Sequence, residues 1–481
     1  MSFADIVTAV NDFVWGLPLV ILCLGAGVYF SVRTRFLQVA FIKEMVRLLF
    51  KGKESARGVS SFQAFAIAIS GRVGTGNIAG VATAIVLGGP GAVFWMWIIA
   101  FLGAASAYVE ATLGQIYKQV VNNEYRGGPS YYIEKGLGMK WYAVIFSIAT
   151  IFSMTFFLPA VQSQSIASGM ETAFNVAPLY TGMAVAVALA MVIFGGVKRI
   201  GHVAQVVVPF MAIGYILMAV VIISMNITHV PDVFRLIVKS AFGLEPAFAG
   251  IVGVAISAGV KRGIFSNEAG QGTAPHAASA AEVSHPVKQG LVQAFSVYID
   301  TLFVCTATAF MILFTDQYNV ADPANPGSFL WQNLPAGVDG PGFTQHAVES
   351  VFEGFGNGFV AISLLFFVFT TLMAYYYMAE TNLTYLDQNG RHPWLINILR
   401  VVTLGTIIYG TTVTAGPAWQ LGDIGVGIMA WLNVIAILLL QKPALKALKD
   451  YRQQQKEGKD PVFDATALGI KNADYWAGKE K

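Results

Sequence analysis

The chain has 481 residues, of which 56% are hydrophobic and only 12% are charged. Soluble domains carry about 25% charged residues, so this composition excludes a soluble enzyme, a disordered chain and a nucleic-acid-binding protein. The formal net charge of +3 indicates little by itself, because the position of the charges matters more than their sum. Cys23 and Cys305 both lie in apolar stretches, which indicates neither a disulfide framework nor a metal site.

The apolar residues are grouped into segments of membrane-spanning length. A helix needs about 20 mostly apolar residues to cross a bilayer, and eleven segments meet this requirement. The sequence therefore predicts an all-α polytopic membrane protein with eleven transmembrane helices. The predicted spans are 14–32, 60–86, 90–117, 141–175, 178–197, 202–226, 246–280, 288–314, 356–382, 394–415 and 419–441.

The distribution of charge predicts the orientation. Residues 1–12 contain two Asp and no Lys or Arg, so they do not form a signal peptide. The connection after the first span is rich in Lys and Arg, which predicts that it is cytoplasmic and that the N-terminus is outside. Alternation then places the Pro-rich segment 315–345 outside and the charged tail in the cytoplasm. We expect a multi-pass protein of the bacterial inner membrane.

The second span contains a weak point in its helix. The stretch Ser70–Asn77 has three glycines, and each lowers helix propensity by about 1 kcal/mol relative to Ala. A broken backbone is tolerated in lipid only where it is buried in protein or lines a cavity. The stretch is therefore either a close helix crossing through small residues or a break that offers backbone groups to a ligand.

The seventh span contains a second weak point, within Gly259–Gly272. Its ionisable side chains cost at least ~2.5–3.5 kcal/mol each at the centre of a membrane helix. We interpret Lys261 and Arg262 as reaching toward the cytoplasmic surface. Glu268 either bonds the freed backbone of the break or serves a cation or a gate.

The two breaks lie five spans apart, which is typical of two inverted repeats that each open on a discontinuous helix. This pattern predicts a first repeat over 60–226 and a second repeat over 246–441, joined by an external connection over 227–245. Residues 1–59 then hold an extra helix with its basic connection, and residues 442–481 form the charged cytoplasmic tail.

Several other spans carry isolated polar groups. Asp300, in the eighth span, either bonds another helix or has a function. Gln162 either joins helices or binds a substrate, and Thr370 and Thr371 either cap their own helix or ligate a cation. Glu110 is interpreted as a buried, hydrogen-bonded structural residue. No motif of a hydrolase, zinc peptidase or P-loop protein is present, which predicts a protein that is not an enzyme and has no organic cofactor.

Four motifs carry a resemblance to a known family. They are Gly71–Gly80, Arg126–Tyr131, Gly263–Pro275 and Asp300–Thr301. These residues resemble the alanine or glycine:cation symporter family over roughly 10–440. The resemblance implies the leucine-transporter-type fold, with five-plus-five inverted repeats and one extra N-terminal helix. It also implies uptake of small neutral amino acids with Na⁺, or in some members with H⁺.

The resemblance also implies a binding site. The implied substrate-binding residues are Gly74, Thr75, Gln162, Phe265, Ser266, Asn267 and Tyr375. The implied Na⁺ ligands are the backbone oxygens of Ser70 and Val73 with the hydroxyls of Thr370 and Thr371. Asn77 and Asp300 are candidates for a second cation site.

Two departures from the family pattern touch the implied pocket. Tyr375 replaces a Trp of the ninth span, and Pro159–Gln164 departs from the usual fourth-span motif. We therefore expect a small neutral amino acid as substrate, without fixing alanine or glycine. The alternatives are a facilitator or channel-like permease without cation coupling and a proton-coupled symporter. Membrane lipid is the other expected partner; no nucleic acid and no obligatory protein partner is predicted.

Overall fold

The computed structural model describes residues 3–50, 57–388 and 390–478, and most of them are helical. The α-helices up to the second predicted repeat are α1 Phe3–Val14, α2 Leu17–Arg33, α3 Leu37–Ala40, α4 Ile42–Leu49, α5 Ser61–Arg72, α6 Val81–Gly88, α7 Gly91–Ile116, α8 Pro129–Leu137, α9 Lys140–Phe152, α10 Leu158–Phe174, α11 Pro178–Ile193, α12 Gly196–Met225 and α13 Val230–Ala241. Those that follow are α14 Val252–Asn267, α15 Ala274–Ala280, α16 Pro286–Tyr298, α17 Thr306–Phe314, α18 Gly342–Glu349, α19 Gly356–Leu386, α20 Trp394–Gly410 and α21 Ala415–Lys456.

Wider helical turns and two small hairpins complete the secondary structure of the described residues. Turns of the π type occur at Gly76–Gly80, Ser153–Phe157 and Ile299–Cys305, and short 3₁₀ turns at Ile227–His229 and Pro246–Ile251. The antiparallel strands are β1 Gln119–Val121 with β2 Glu124–Arg126, and β3 Asn319–Ala321 with β4 Phe329–Gln332.

Eight helical segments of the described residues are long and apolar enough to cross a membrane. They are Ala4–Arg33, Gly91–Ile116, Lys140–Phe174, Gly196–Met225, Pro246–Asn267, Pro286–Phe314, Gly356–Leu386 and Ala415–Lys456. Shorter apolar helices lie at Gly76–Gly88, Pro178–Ile193 and Trp394–Gly410. The prediction of a helical polytopic membrane protein is confirmed, whereas the count of eleven crossings stays a prediction.

The last helix is longer than the predicted span over 419–441. Helix α21 begins at Ala415 and continues to Lys456 despite an internal Pro443, so it includes the start of the predicted charged tail. In the basic connection after the first span, the described residues form α3 and α4, and Lys51 and Lys53 lie outside the described residues.

Helix α7 lies at the centre of the packing, against α2, α14, α15 and α16. The contact with α14 is close because Gly259 has no side chain. A Cβ atom at Gly259 would lie 2.5 Å from the Ala92 carbonyl oxygen and 2.6 Å from the Cβ of Trp95. Small residues of this kind let membrane helices approach closely. The result is that α7 lies directly beside the segment that breaks after Asn267.

Residues that follow α21 fold back against the ends of the membrane helices. The Lys118 ammonium lies 4.2 Å from the ring centroid of Tyr125 and 4.4 Å from that of Tyr475. It also donates to the Ala281 carbonyl at 2.9 Å. The Trp476 indole donates to the Gln115 carbonyl at 2.8 Å. This part of the predicted tail is therefore packed against α7 and against the segment that follows α15.

Candidate functional site

The first helix break separates α5 from the π turn at Gly76–Gly80 and leaves backbone donors without helical partners. The Gly74 amide donates to the Asn77 side-chain oxygen at 2.8 Å. The Thr75 amide donates to the Gln162 side-chain oxygen at 3.1 Å. The predicted interruption of the second span is confirmed, and side-chain oxygens accept hydrogen bonds from its freed amides.

Carbonyl oxygens of the first break converge on a single hydroxyl of α19. The Thr371 Oγ1 lies 2.9 Å from the Ser70 carbonyl oxygen and 3.2 Å from that of Val73. It also lies 2.8 Å from the Phe367 carbonyl oxygen in its own helix. A hydroxyl has one hydrogen, so it cannot donate to all three carbonyls at full strength. A Cβ atom at Gly74 would collide with this hydroxyl, which explains the need for glycine there.

Thr370 does not join this group. Its hydroxyl lies 3.1 Å and 3.0 Å from the carbonyl oxygens of Phe366 and Phe367. It also lies 3.6 Å from the sulfur of Met211 in α12. Adjacent residues of a helix project about 100° apart, so Thr370 and Thr371 face different neighbours. Of the two hydroxyls, the structure brings only that of Thr371 to Ser70 and Val73.

Asp300 connects the two broken segments. It lies in the π turn Ile299–Cys305 and is fully buried. Its Oδ1 accepts from the Asn77 amide group at 2.6 Å, and the Ser266 hydroxyl lies 3.0 Å from both carboxylate oxygens. The Thr301 hydroxyl donates to Oδ2 at 2.7 Å. The structure therefore brings together Asn77 and Asp300, which the sequence analysis had paired, and adds Ser266.

The second break lies between α14 and α15 and is held by a carboxylate from α7. The Glu110 oxygens accept from the amide of Gly270 at 3.3 Å and from that of Gly272 at 3.0 Å. The same carboxylate accepts from the Asn433 side chain at 2.7 Å. The interpretation of Glu110 as a buried, hydrogen-bonded residue is confirmed. These two freed amides bond Glu110 rather than Glu268, which was one of the alternatives for Glu268.

The remaining candidate substrate residues surround both breaks. The Gln162 side-chain nitrogen lies 3.5 Å from the Tyr375 hydroxyl, so both residues lie beside the first break. The ring of Phe265, near the end of α14, is 5.0 Å from that of Trp419 between centroids. The Asn267 side-chain oxygen accepts from the Ala269 amide at 2.9 Å.

Two polar atoms of this group have no hydrogen-bond partner among the described residues. They are the Thr75 hydroxyl and the side-chain nitrogen of Asn267, and both residues are fully buried. Buried polar side-chain atoms in native proteins nearly always have a partner, so unpartnered ones require an explanation. The side-chain oxygen of Gln271, in the second break, also has no partner among the described residues. Both breaks therefore carry polar groups that are available to a ligand.

The sequence analysis did not identify Asp423 as the partner of Lys261 and Arg262. Asp423 in α21 forms ion pairs with Arg262 at 2.5 Å and with Lys261 at 2.8 Å. The Arg262 guanidinium also lies 4.8 Å from the ring centroid of Trp419. The two cations pair with this carboxylate rather than reaching for the cytoplasmic surface. Asp423 is an isolated carboxylate inside the last apolar span, and this feature of the sequence could have pointed to it.

The fold and the broken helices define a membrane transporter, and comparison with known proteins gives its family. Residues 1–465 match the sodium:alanine symporter family, and the chain belongs to that family.

Curated relatives cover nearly the whole chain. YrbD of Bacillus subtilis is 62% identical over 98% of this chain and 97% of its own. The sodium/proton-dependent alanine carrier protein of Bacillus sp. PS3 is 53% identical over 90% of this chain and 97% of its own. The sodium/alanine symporter AgcS of Methanococcus maripaludis is 37% identical over 95% of this chain and 99% of its own. A solved Na⁺-coupled sialic acid symporter is similar at a TM-score of 0.48 and 14% identity, over 92% of this chain and 86% of that chain.

Proposed function

We propose that this protein takes up a small neutral amino acid of the alanine type together with Na⁺ by alternating access. The observation that carries the proposal is the convergence of the Ser70, Val73 and Phe367 carbonyl oxygens on the Thr371 hydroxyl at 2.8–3.2 Å. Unwound carbonyls of a broken membrane helix are the groups that coordinate Na⁺ in transporters with discontinuous helices. The family supports sodium as the coupling ion.

The cation site consists of the Ser70 and Val73 carbonyl oxygens with the Thr371 hydroxyl. A bound cation gives these oxygens an electrostatic partner that the single hydroxyl hydrogen cannot supply. Thr370 acts from outside this group, because its hydroxyl faces Met211. In this assignment Thr370 supports the packing of α19 on α12 and does not ligate the ion.

The amino acid binds between the two breaks. Its carboxylate joins the Asn77 and Gln162 side-chain oxygens as an acceptor for the amides of Gly74 and Thr75, since the N–H groups of a broken helix suit an anion. The unpartnered Thr75 hydroxyl and Asn267 side chain supply further polar contacts. Gln162, hydrogen-bonded to the Thr75 amide, orients this end of the site.

The walls of the substrate site come from aromatic rings and a serine. Phe265 with Trp419 forms one wall, and Tyr375 forms another next to Gln162. Ser266 belongs to the substrate side of the second break and bonds Asp300. The wall residues named here are themselves uncharged, which favours a neutral side chain on the substrate.

A second cation, either Na⁺ or H⁺, is assigned to Asn77 and Asp300. The carboxylate of Asp300 accepts from Asn77, Ser266 and Thr301, so it connects both breaks in one hydrogen-bond network. A proton on Asp300 would change this network directly. The PS3 relative is named a sodium/proton-dependent carrier, which supports testing both ions.

The architecture that we assign has eleven crossings, with five-plus-five inverted repeats of the leucine-transporter type after one extra helix. Breaks in the second and seventh predicted spans, after Arg72 and after Asn267, support this assignment. The N-terminus lies outside and the C-terminus in the cytoplasm of a bacterial inner membrane. One Na⁺ entering across ~100 mV releases ~2.3 kcal/mol. With a tenfold gradient the total of ~3.7 kcal/mol supports roughly 500-fold accumulation.

Uptake into proteoliposomes tests this function. Labelled alanine is offered with an inward Na⁺ gradient, with an inward H⁺ gradient, and with neither. Accumulation above the external concentration only with Na⁺ supports sodium symport, and accumulation with H⁺ alone assigns proton coupling. Equilibration that ignores both gradients would show a facilitator and overturn the proposal.

A further inference from the structure

An apolar groove of about 570 Å³ lies between α12 and α19, separate from the substrate and cation candidates. Four of its lining residues come from α12 and five from α19. They include Phe210, Met211, Gly214, Phe359, Ile362 and Phe366. Both helices belong to segments long enough to cross a membrane. Phe174 at the end of α10 and Gly354 and Phe355 before α19 complete the lining.

The groove opens onto the surface that faces lipid. At its mouth the side chain of Phe210 is 70% exposed and that of Ile362 is 40% exposed. Its floor is closed by Met211 and Tyr215, which are buried. The groove is therefore continuous with the apolar outer face of the helices, which is the interface of a membrane transporter with the bilayer.

The lining determines what can fill this space. Tyr215 and Ser363 supply its polar side-chain groups, and the Tyr215 hydroxyl is already bonded to Thr308 at 2.8 Å. A water molecule needs two to four polar partners, which this surface does not offer. Atoms that line an empty apolar space lose their dispersion contacts on that side. A flexible hydrocarbon chain supplies those contacts without requiring a polar partner.

We propose that this groove binds one acyl chain of a membrane lipid. The chain enters from the bilayer past Phe210 and Ile362 and packs on the floor formed by Met211 and Tyr215. The bilayer surrounds the mouth with this ligand at very high local concentration, so even a modest affinity keeps the groove occupied.

The floor of the groove contacts residues beside the cation candidates and does not overlap the ligand sites. Met211 contacts the Thr370 hydroxyl at 3.6 Å, next to Thr371. Tyr215 bonds Thr308, whose hydroxyl donates to the Asn77 carbonyl at 2.5 Å. A lipid chain therefore packs against the residues that lie directly behind both cation candidates.

A large side chain at position 214 can block the groove without a steric clash. A Cβ atom added at Gly214 meets no atom within 4 Å, so a large side chain there extends into open space. Gly405 in α20 is also an exposed helical glycine with nothing within 4 Å, and it does not line the groove. Gly405→Phe is therefore the matched control for Gly214→Phe.

The experiment uses the full chain in liposomes that contain a phospholipid with a diazirine in the middle of one acyl chain. After illumination, mass spectrometry maps the labelled residues. We expect labelling concentrated on the groove segments of α12 and α19. In Gly214→Phe it should fall about tenfold, which corresponds to roughly two methylene groups displaced from apolar contact. Gly405→Phe should label like the wild type.

Two results would overturn the proposal. One is labelling spread evenly over the lipid-facing helices of the wild type, and the other is unchanged groove labelling in Gly214→Phe. If Gly214→Phe does not fold, Ile362→Trp blocks the mouth from the other helix and carries the same expectation. The readout does not require uptake, so failure here is distinguishable from failure of the proposed transport function.

Discussion

The two helix breaks lie side by side, yet their freed backbone amides have different hydrogen-bond acceptors. At the first break the amides of Gly74 and Thr75 bond the neutral side-chain oxygens of Asn77 and Gln162. At the second break the amides of Gly270 and Gly272 bond the carboxylate of Glu110.

This difference indicates which of the two breaks is suited to binding and releasing a ligand. The single Glu110 side chain joins both amides of the second break to Asn433 of α21, so it fixes that break to two neighbouring helices. At the first break each amide has its own neutral acceptor, which a ligand can replace or join. Substitutions at the second break should affect folding, and those at the first should affect binding.

The largest effect is expected for Glu110→Ala. It leaves the amides of Gly270 and Gly272 buried without an acceptor, at about 1–3 kcal/mol for each group. We expect a loss of folded, monodisperse protein, measured by size-exclusion chromatography and thermal unfolding in detergent. Glu110→Gln keeps one acceptor oxygen and should recover part of the yield. If the Glu110→Ala protein has wild-type stability and fails only in transport, the second break acts in transport and the assignment of the two breaks is wrong.

A smaller and more selective effect is expected for Gln162→Ala. Its loss removes the acceptor of the Thr75 amide and weakens the orientation of the site. We expect the affinity for the amino acid to fall about 5- to 150-fold, the cost of one unpaired group in a dry pocket. Binding of labelled alanine at saturating Na⁺ measures it. Gln164→Ala, two residues away on another side of α10, is the control, and equal behaviour of the two variants would reassign Gln162 to helix packing.

Thr371→Ala tests the proposed cation site at the first break. A methyl group cannot replace an oxygen ligand, so we expect about a tenfold rise in the Na⁺ concentration for half-maximal uptake. Thermal unfolding in detergent should stay close to the wild type. Thr370→Ala is the matched control, because its hydroxyl faces Met211. A larger change in Thr370→Ala than in Thr371→Ala would show that the cation ligands are misassigned.

The smallest effect is expected for Tyr375→Trp, which changes the size of the wall beside Gln162. A hydrophobic wall discriminates one methylene by only ~1–3 kcal/mol. We expect a narrower substrate range, with serine and larger neutral residues losing affinity relative to glycine and alanine. A competition panel of neutral amino acids on both proteins measures it. Identical profiles would remove Tyr375 from the determinants of selectivity.

The sequence allowed both breaks to be predicted because their causes are local. Closely spaced glycines at 71, 74 and 76 and at 270 and 272 weaken a helix wherever it lies. Apolar length likewise predicted the membrane segments, although α21 continues past the predicted end of its span to Lys456. Span length is a property of a continuous stretch and needs no knowledge of neighbours.

The partners of these residues could not be predicted in the same way. The sequence analysis treated Thr370 and Thr371 alike, because what each hydroxyl faces depends on the rotation of α19 relative to α5 and α12. The pairing of Arg262 with Asp423 joins residues 161 positions apart. Such contacts depend on how the helices pack against one another, and the sequence pattern within one span carries no information about that packing.

The packing of Lys118 among Tyr125, Tyr475 and Trp476 has a consequence for the biogenesis of the protein. Tyr475 and Trp476 are translated only after α7 and every membrane helix that follows it. Until they arrive, the Lys118 ammonium and the Gln115 carbonyl lack these aromatic and indole partners. Docking of this segment can therefore take place only after the last membrane helix has been translated.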